Sequence, residues 1–339
     1  MQLFWITRHS RKILNHGDLI PGFIKLVDLQ ICNWGKPMNT FDVKFHARNS
    51  YYLWIILLSF SSTVLAASGS NAVSQCDFAA AHPNDPHKVA EGVSWENLNI
   101  DSALPACEQA IELQPGNARI QFQYARVLDK QKSFEKAFVY YQKAAEQGYV
   151  IAQNSLGIAY EWGQGVEANN QQALFWYNKA ATQGYAQAQN NLGTMYDLGK
   201  GGSEDEKKAL YWFRKAADQG YASAQRNLGT MYSRGNGVKQ NDKTAFEWYL
   251  KAANQNQASA QYYVGVSYYY GKGVSSDPAL AKKWFEKAAQ NGNYEARQII
   301  HKFQFKQSYC ETLKSKVGIN NGYEKVSSDK FLGKRECDG

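Results

Sequence analysis

The chain has 339 residues, of which 44% are hydrophobic and 20% charged, with only 7 prolines. This composition supplies enough apolar surface for a core and excludes a disordered or collagen-like chain. The net charge of +8 does not indicate a nucleic-acid-binding protein, because residues 67–339 carry 31 basic and 27 acidic side chains and residues 1–66 hold the rest of the surplus.

The first element in chain order is an uncharged run at residues 51–64, YYLWIILLSFSSTV. Basic residues precede the run and small residues follow it, as in a secretory signal peptide. We therefore predict a signal peptide over residues 38–67 that is cleaved near Ala66–Ala67. The alternative is a single-pass inner-membrane anchor through residues 51–67, although a spanning helix needs about 20 apolar residues.

Met38 stands at the distance from this run that is typical of a translation start. We therefore interpret residues 1–37 as an over-extended N-terminus and assign no structure to them.

Residues 68–99 form an N-terminal flank that contains the segment HPNDPH. Its residues His82, Asp85 and His87 are candidate metal ligands. The proline-rich context favours a loop that covers the first helices. We predict no metal site.

Four cysteines remain after the predicted cleavage, and an even count in an exported chain indicates disulfides. Four cysteines allow three connectivities, of which Cys76–Cys107 and Cys310–Cys337 are the local pairs. A four-thiolate zinc site is the alternative, but no Cys-x-x-Cys spacing supports it.

A 36-residue repeat organises the middle of the chain. The positions that recur at this spacing are Trp176, Trp212, Trp248 and Trp284; Tyr160, Tyr196, Tyr232 and Tyr268; and Gly157, Gly193, Gly229 and Gly265. Such periodicity is typical of a solenoid. We place four repeats at residues 149–184, 185–220, 221–256 and 257–292.

Each repeat is predicted to contain two helices. Leu192, Gly193 and Tyr196 have helical spacing in the first helix, and Trp212 and Phe213 lie on the apolar stripe of the second. Gly193 is expected to allow close approach of the neighbouring helix.

The second helix is predicted to end at Gly220 and its equivalents, with Asn256 in the same place in the third repeat. Asparagine also tolerates the left-handed conformation of a helix C-terminus. The Gly-x-Gly between the two helices of a repeat follows a helix rather than a strand, so it indicates a turn and not a phosphate-binding loop.

The segment before these repeats has a shorter period. Ala110 and Ala144 are 34 residues apart, and Ala125 and Ala137 are 12 apart where the later repeats have 16. Residues 100–148 are therefore predicted to form helix pairs with a connecting loop four residues shorter. After the last repeat, residues 293–305 have the pattern of a capping helix, and residues 306–339 form a polar tail.

Residues 149–292 resemble Sel1-like repeats, with the pattern A-x-A-Q-x-x-L-G-x-x-Y…G-x-G-V…A-x-x-W-Y/F-x-K-A-A-x-Q-G, and residues 100–148 resemble tetratricopeptide units. The resemblance implies an all-α fold, a right-handed α-solenoid of stacked helix-turn-helix repeats with short disulfide-closed flanks. It also implies a non-enzymatic scaffold of the bacterial envelope or secreted space whose partner is a protein or peptide, such as a cell-wall enzyme or a host protein.

In such a solenoid the first helices line the concave face. A polar stripe on these helices differs from repeat to repeat, as expected of a surface that binds an extended partner. The predicted partner-binding residues are Asn154, Glu161, Asn190, Thr194, Asp197, Arg226, Thr230, Ser233, Tyr262, Tyr269 and Tyr270.

We predict no catalytic residue, cofactor or nucleic-acid partner. The sequence has neither His-Glu-x-x-His nor Gly-x-Ser-x-Gly. The carboxylates Glu204, Asp205 and Glu206 are interpreted as a helix cap. The alternative function is an exported enzyme of cell-wall or β-lactam chemistry, as suggested for cysteine-rich Sel1 proteins.

Overall fold

The computed structural model describes residues 71–85, 88 and 90–302, and every regular element among them is helical. Helical segments at residues 71–80 and 294–302 flank eleven further helices. These are α1 (Ile100–Leu113), α2 (Ala118–Lys130), α3 (Phe134–Glu146), α4 (Val150–Trp162), α5 (Asn170–Thr182), α6 (Ala186–Asp197), α7 (Glu206–Asp218), α8 (Ala222–Arg234), α9 (Asp242–Ala253), α10 (Ala258–Tyr270) and α11 (Pro278–Gln290).

Consecutive helices pack in a continuous series. Each pair from α2–α3 to α10–α11 forms a hairpin, and the second helix of each pair also packs against the first helix of the next pair. Apolar clusters follow one another along the series, and those of α5 with α6, α7 with α8 and α9 with α10 each join one hairpin to the next. The predicted all-α solenoid of helix hairpins is confirmed.

The predicted change of loop length is also present. Residues 131–133 connect α2 to α3, whereas residues 163–169 connect α4 to α5. The difference is four residues, as the alanine spacings indicate.

The ends of the second helices follow the predicted rule. Gly220 has φ of 85°, and Asn256 takes its place in the third repeat with φ of 62°. Both residues lie in the left-handed region that suits a helix C-terminus.

Close contact between paired helices explains the mid-helix glycines. A Cβ atom on Gly193 would lie 2.7 Å from the ring of Phe213, and one on Gly229 would lie 2.7 Å from the ring of Tyr249. The same contact recurs in the other two repeats, so the predicted role of these glycines is confirmed.

The aromatic stripe of the second helix differs in one respect from its prediction. Phe213 is buried and faces Gly193, whereas Trp212 is only partly buried. Trp212 packs on the cluster that α5 and α6 form, which includes Leu192. The two adjacent aromatic residues therefore serve different interfaces.

The N-terminal flank is attached to α1 and α2. Cys76 and Cys107 form a disulfide, as predicted. Asp77, which is fully buried, accepts hydrogen bonds from Arg119 and, at 2.6 Å, from Nε2 of Gln123. These contacts cover the exposed side of the first hairpin.

The buried guanidinium of Arg126 secures the loop that follows. Its Nη1 donates to the carbonyls of Ala80 and Ala81 at 3.0 Å, and its Nη2 donates to that of Val93 at 2.6 Å. The flank thereby closes one end of the helix series.

The helical segment at residues 294–302 covers the other end. Ala296 is fully buried, and Ile299 and Ile300 pack against the cluster that contains Phe285. The segment therefore packs against α11, the second helix of the fourth repeat.

The predicted signal peptide, Cys310, Cys337 and the tail lie outside the described residues. Among the residues that the structure does describe, no helix has the length and apolar character needed to cross a membrane.

Candidate functional site

The predicted partner-binding residues all lie on the first helices of the four repeats, α4, α6, α8 and α10. We call their polar, partly buried side the first-helix face. Its equivalent positions recur every 36 residues, so each junction between repeats can be compared with the next.

Asn154 and Asn190 are buried, which corrects their prediction as partner-contacting residues. Their side-chain oxygens accept hydrogen bonds from Nδ2 of Asn191 at 3.1 Å and of Asn227 at 2.9 Å, respectively. The stripe that is exposed on one isolated helix is covered here by the next repeat. These asparagines therefore join neighbouring repeats.

Glu161 is held within the protein by two donors. Its Oε2 accepts from the Tyr177 hydroxyl at 2.8 Å, and its Oε1 pairs with Nζ of Lys200 at 2.8 Å. Burial and the nearby carboxylate raise the pKa of the Tyr177 hydroxyl, which keeps it protonated as a donor. Glu161 thus closes the junction between the first two repeats.

Thr194 and Thr230 each form a hydrogen bond with the backbone of their own helix. Their hydroxyls donate to the carbonyls of Asn190 at 3.1 Å and Arg226 at 3.2 Å. Such bonds to the preceding turn satisfy a hydroxyl within a helix. The oxygen of Thr230 also accepts from the Tyr249 hydroxyl at 3.2 Å.

Asp197 occupies the position of Glu161 one repeat later. Burial, reinforced by Glu204, raises the pKa of its carboxyl, and Arg234 opposes the rise. The predicted set contains two carboxylates, Glu161 and Asp197. Among the described residues, Glu161 forms an ion pair and Asp197 does not.

Two adjoining cavities of about 140 Å³ each open along α8, which is the first helix of the third repeat. Both are lined by Thr230, Arg234 and Tyr263. Ser233 and Lys272 line one of them, and Asp197 and Arg226 line the other. Much of the predicted set on α6 and α8 thus meets at one place.

Arg226 is the predicted residue with unmet bonding capacity. Its Nε is buried and has no hydrogen-bond partner among the described residues. A buried donor that lacks an acceptor is unfavourable, so a ligand oxygen at this point would stabilise the site.

The predicted tyrosines divide into two kinds. Tyr262 is partly buried and packs on Phe285 with a centroid distance of 5.8 Å. Tyr269 and Tyr270 are 45% and 67% exposed and meet edge to face at 4.9 Å. Only the latter pair presents a free aromatic surface.

The first-helix face is supported by a row of buried glutamines whose hydrogen bonds the sequence analysis did not predict. Nε2 of Gln225 donates to the carbonyl of Ala217 in the preceding repeat at 3.3 Å, and its Oε1 accepts from Gln255 at 2.8 Å. Gln153, Gln189 and Gln261 make equivalent bonds. The 36-residue spacing of these glutamines is the feature of the sequence from which a repeated polar contact could have been predicted.

The Gly-x-Gly segments are turns, as predicted. Gly237 has φ of 62°, and a Cβ there would lie 2.6 Å from the carbonyl oxygen of Glu206. Each turn packs on the preceding repeat. Lys200, from the turn of the second repeat, pairs with Glu161 on the first-helix face.

The other candidate ligands have local roles. Asp205 caps α7 by accepting from the amide of Lys208 at 2.9 Å, which confirms its interpretation as a cap. Nδ1 of His82 accepts from the amide of Asn84 at 3.1 Å, within the loop that covers α2. His87 lies outside the described residues, within which no group of three or more potential ligands is placed to hold a metal ion.

Comparison with protein families matches the Sel1 repeat to residues 128–149, 150–185, 186–221, 222–257 and 258–293. The first match falls in the region that resembles tetratricopeptide units. A comparison with curated proteins gives no match.

Among solved structures, the chain is similar to a Sel1 repeat protein from Oxalobacter formigenes, with 34% identity, a TM-score of 0.55, and coverage of 57% of this chain and 81% of that one. It is also similar to c5321, described as a protective antigen of uropathogenic Escherichia coli with an SLR fold. That match has 30% identity, a TM-score of 0.38, and coverage of 68% and 54% of the two chains.

Proposed function

Because this chain belongs to the Sel1-repeat family of tetratricopeptide-like proteins, we propose that it is an exported, non-enzymatic scaffold that binds a protein or an extended peptide along its first-helix face. Scaffolds of this type generally mediate protein–protein interaction and typically have no catalytic activity. The partner would be a protein of the cell envelope, such as a cell-wall enzyme, or a host protein.

The observation that carries the proposal is the pair of cavities along α8. Their lining includes side chains that vary between repeats, such as Ser233 and Tyr263, beside recurring core residues such as Phe213 and Tyr249. Arginine and tyrosine are also the side chains most enriched at binding hot spots.

A second feature extends the surface along the series. Tyr269 and Tyr270 are exposed on the last turn of α10, whose earlier residues Tyr263 and Val266 line one of these cavities. An extended peptide that crosses the first helices would meet the polar cavities and then this aromatic pair. Aromatic anchors beside polar contacts are typical of peptide-binding surfaces.

Export is supported by two independent features. The Cys76–Cys107 disulfide is typical of an oxidising compartment. The uncharged run at residues 51–64, with its basic flank, has the pattern of a signal peptide.

The proposal is tested by affinity capture from an envelope extract, with bound proteins identified by mass spectrometry. The wild-type protein is compared with a variant that carries Arg234→Glu and Tyr269→Ala on the first-helix face. The matched control carries Lys215→Glu and Tyr211→Ala, both exposed on the second helix α7. Capture of one protein by the wild type and control, with at least about tenfold less on the first variant, is expected from the loss of two anchor residues. Equal capture by all three would contradict the proposal.

A further inference from the structure

The site at the third junction, defined by Ser233, Tyr249 and Lys272, differs from the first junction at one position. At the first junction, Glu161 accepts from Tyr177 and Lys200, both at 2.8 Å. Counting two repeats onward, 72 residues, Tyr177 becomes Tyr249 and Lys200 becomes Lys272, but Glu161 becomes Ser233. Both donors are therefore kept, and the carboxylate between them is missing.

Among the described residues, no carboxylate bonds to the donors at the third junction, although Asp242 lines the same cavity. Within the described residues, Lys272 forms no ion pair within 4.0 Å, and the Tyr249 hydroxyl bonds to Thr230 at 3.2 Å rather than to an acid. Lys272 and Tyr249 line the same cavity as Ser233. An oxyanion that enters this cavity would meet the donor types that hold Glu161.

The neighbouring asparagine contact is interrupted at the same junction. Asn154 accepts a hydrogen bond from Asn191 at the first junction, and Asn190 accepts one from Asn227 at the second. At the third junction the equivalent residues are Arg226 and Tyr263. Arg226 lacks a partner at Nε, and Tyr263 instead stacks on Tyr249 with a centroid distance of 4.8 Å. The third junction is thus open where the first is closed.

Size and charge favour a single carboxylate as the occupant. The cavity of about 140 Å³ is well below the about 300–1,000 Å³ of a small-molecule pocket, which suits the end of one side chain. The two cavities carry three cations, Arg226, Arg234 and Lys272, against the carboxylates Asp197 and Asp242. The surplus of one positive charge matches a monovalent carboxylate better than a doubly charged phosphate.

We propose that the third junction binds an aspartate or glutamate side chain of an extended partner segment, which replaces the carboxylate that Glu161 supplies at the first junction. This inference rests on the proposed scaffold function and specifies the chemistry of its partner. The recognition element is an acidic residue in a peptide, held by Lys272, Tyr249 and, from the adjoining cavity, Arg226.

The inference is tested by selecting a displayed library of random 12-residue peptides on the purified protein, and then measuring the Kd of the best synthetic peptide by fluorescence polarisation. The selected peptides are expected to share one acidic position. Changing that residue to its amide should weaken binding about tenfold, because a charge-assisted hydrogen bond is replaced by a neutral one.

The decisive variant is Ser233→Glu, which restores the internal carboxylate beside Lys272 and Tyr249. It should weaken binding of the acidic peptide by about tenfold or more, since its own carboxylate fills the site. The matched control Ser233→Gln has the same size without the charge, so it reports the steric part of the effect and should weaken the acidic peptide clearly less than Ser233→Glu does. A thermal melt checks that both variants fold.

A second pair of variants covers the case in which Ser233→Glu fails to fold. The exposed Lys272 is changed to Gln, with Lys251→Gln on the second helix α9 as its control. Only Lys272→Gln should weaken the acidic peptide. The inference would be overturned if the selected peptides share no acidic residue. It would also be overturned if neither Ser233→Glu nor Lys272→Gln changes the Kd of an acidic peptide. Both outcomes leave the scaffold proposal standing. A library that yields no binder also overturns the inference, and the capture experiment then decides the scaffold proposal separately.

Discussion

The mid-helix glycine of the third repeat gives a direct test of how the hairpins pack. In Gly229→Leu, even the first added carbon would lie 2.7 Å from two ring carbons of Tyr249 and 3.1 Å from the carbonyl oxygen of Ala245. The first distance is about 0.8 Å shorter than a favourable carbon–carbon contact of about 3.5 Å. The substitution therefore requires the ring or the helix to move.

The ring of Tyr249 has little freedom to move away. It is 5% exposed, it stacks on Tyr263, and its hydroxyl bonds to Thr230. Overpacking typically costs about 1–3 kcal/mol, whereas replacing a helical glycine returns at most about 1 kcal/mol of helix propensity. Because Leu adds three carbons beyond Cβ, we expect a net loss of at least about 2–3 kcal/mol.

Urea unfolding followed by far-ultraviolet circular dichroism measures this loss. Gly202→Leu is the matched control, because a Cβ atom on Gly202 would have no neighbour within 4 Å and its φ is not in the left-handed region. The control should change stability by no more than about 0.5 kcal/mol. A loss below about 0.5 kcal/mol for Gly229→Leu would refute the close-packing explanation, and Gly193→Leu should reproduce the larger effect because its contact with Phe213 is equivalent.

Three further predictions concern the flank and the N-terminus. Burial, together with the charge of Arg126, lowers the pKa of His82 from 6.5 to about 4, so the unfolded chain takes up this proton first and stability is lost as the pH falls from about 6.5 toward 4. Urea unfolding at pH 7.5 and 5.0 should show about 1–2 kcal/mol more loss in the wild type than in His82→Gln, and equal losses would contradict this origin. Replacing Cys76 and Cys107 by Ser opens a loop of sequence separation 31 and should destabilise the flank by about 4 kcal/mol on the chain-entropy account. Limited proteolysis should then cut before residue 100 while the later repeats persist, and unchanged protection of the flank would argue against this role. Mass spectrometry of the exported protein should find an N-terminus near Ala67 or Ser68, whereas an intact residue 51–67 segment in the membrane fraction would favour the anchor.

Periodicity predicted most of the fold because it reports contacts that every repeat must make. The helix ends, including Asn256, and the glycine contacts of Gly193 and Gly229 follow from backbone conformation and steric exclusion. Both constraints act locally or between paired helices, so a single sequence with four copies displays them.

The site was predicted less well because its stripe was assigned from the geometry of one helix. Helical spacing places Asn154 and Asn190 away from the core stripe, yet both are buried when the next repeat packs against them. One helix does not specify its neighbour across a junction. The hydrogen bonds of the glutamine row could not be predicted for the same reason, because their partners lie on adjacent repeats.

Departures from the repeat are more informative about binding than the repeat itself. In a solenoid, each contact between neighbouring repeats is built from two positions that recur together. At the third junction the carboxylate position has become Ser233, whereas the donors Tyr249 and Lys272 remain. These donors can still bond to a carboxylate, but the protein no longer supplies one at that position. The four equivalent positions therefore do not form one uniform surface, because the first, Glu161, is held in an ion pair and the third, Ser233, lines a cavity. A partner that runs along the first helices would be positioned at the open junction, because charge complementarity fixes register more strongly than apolar contact does.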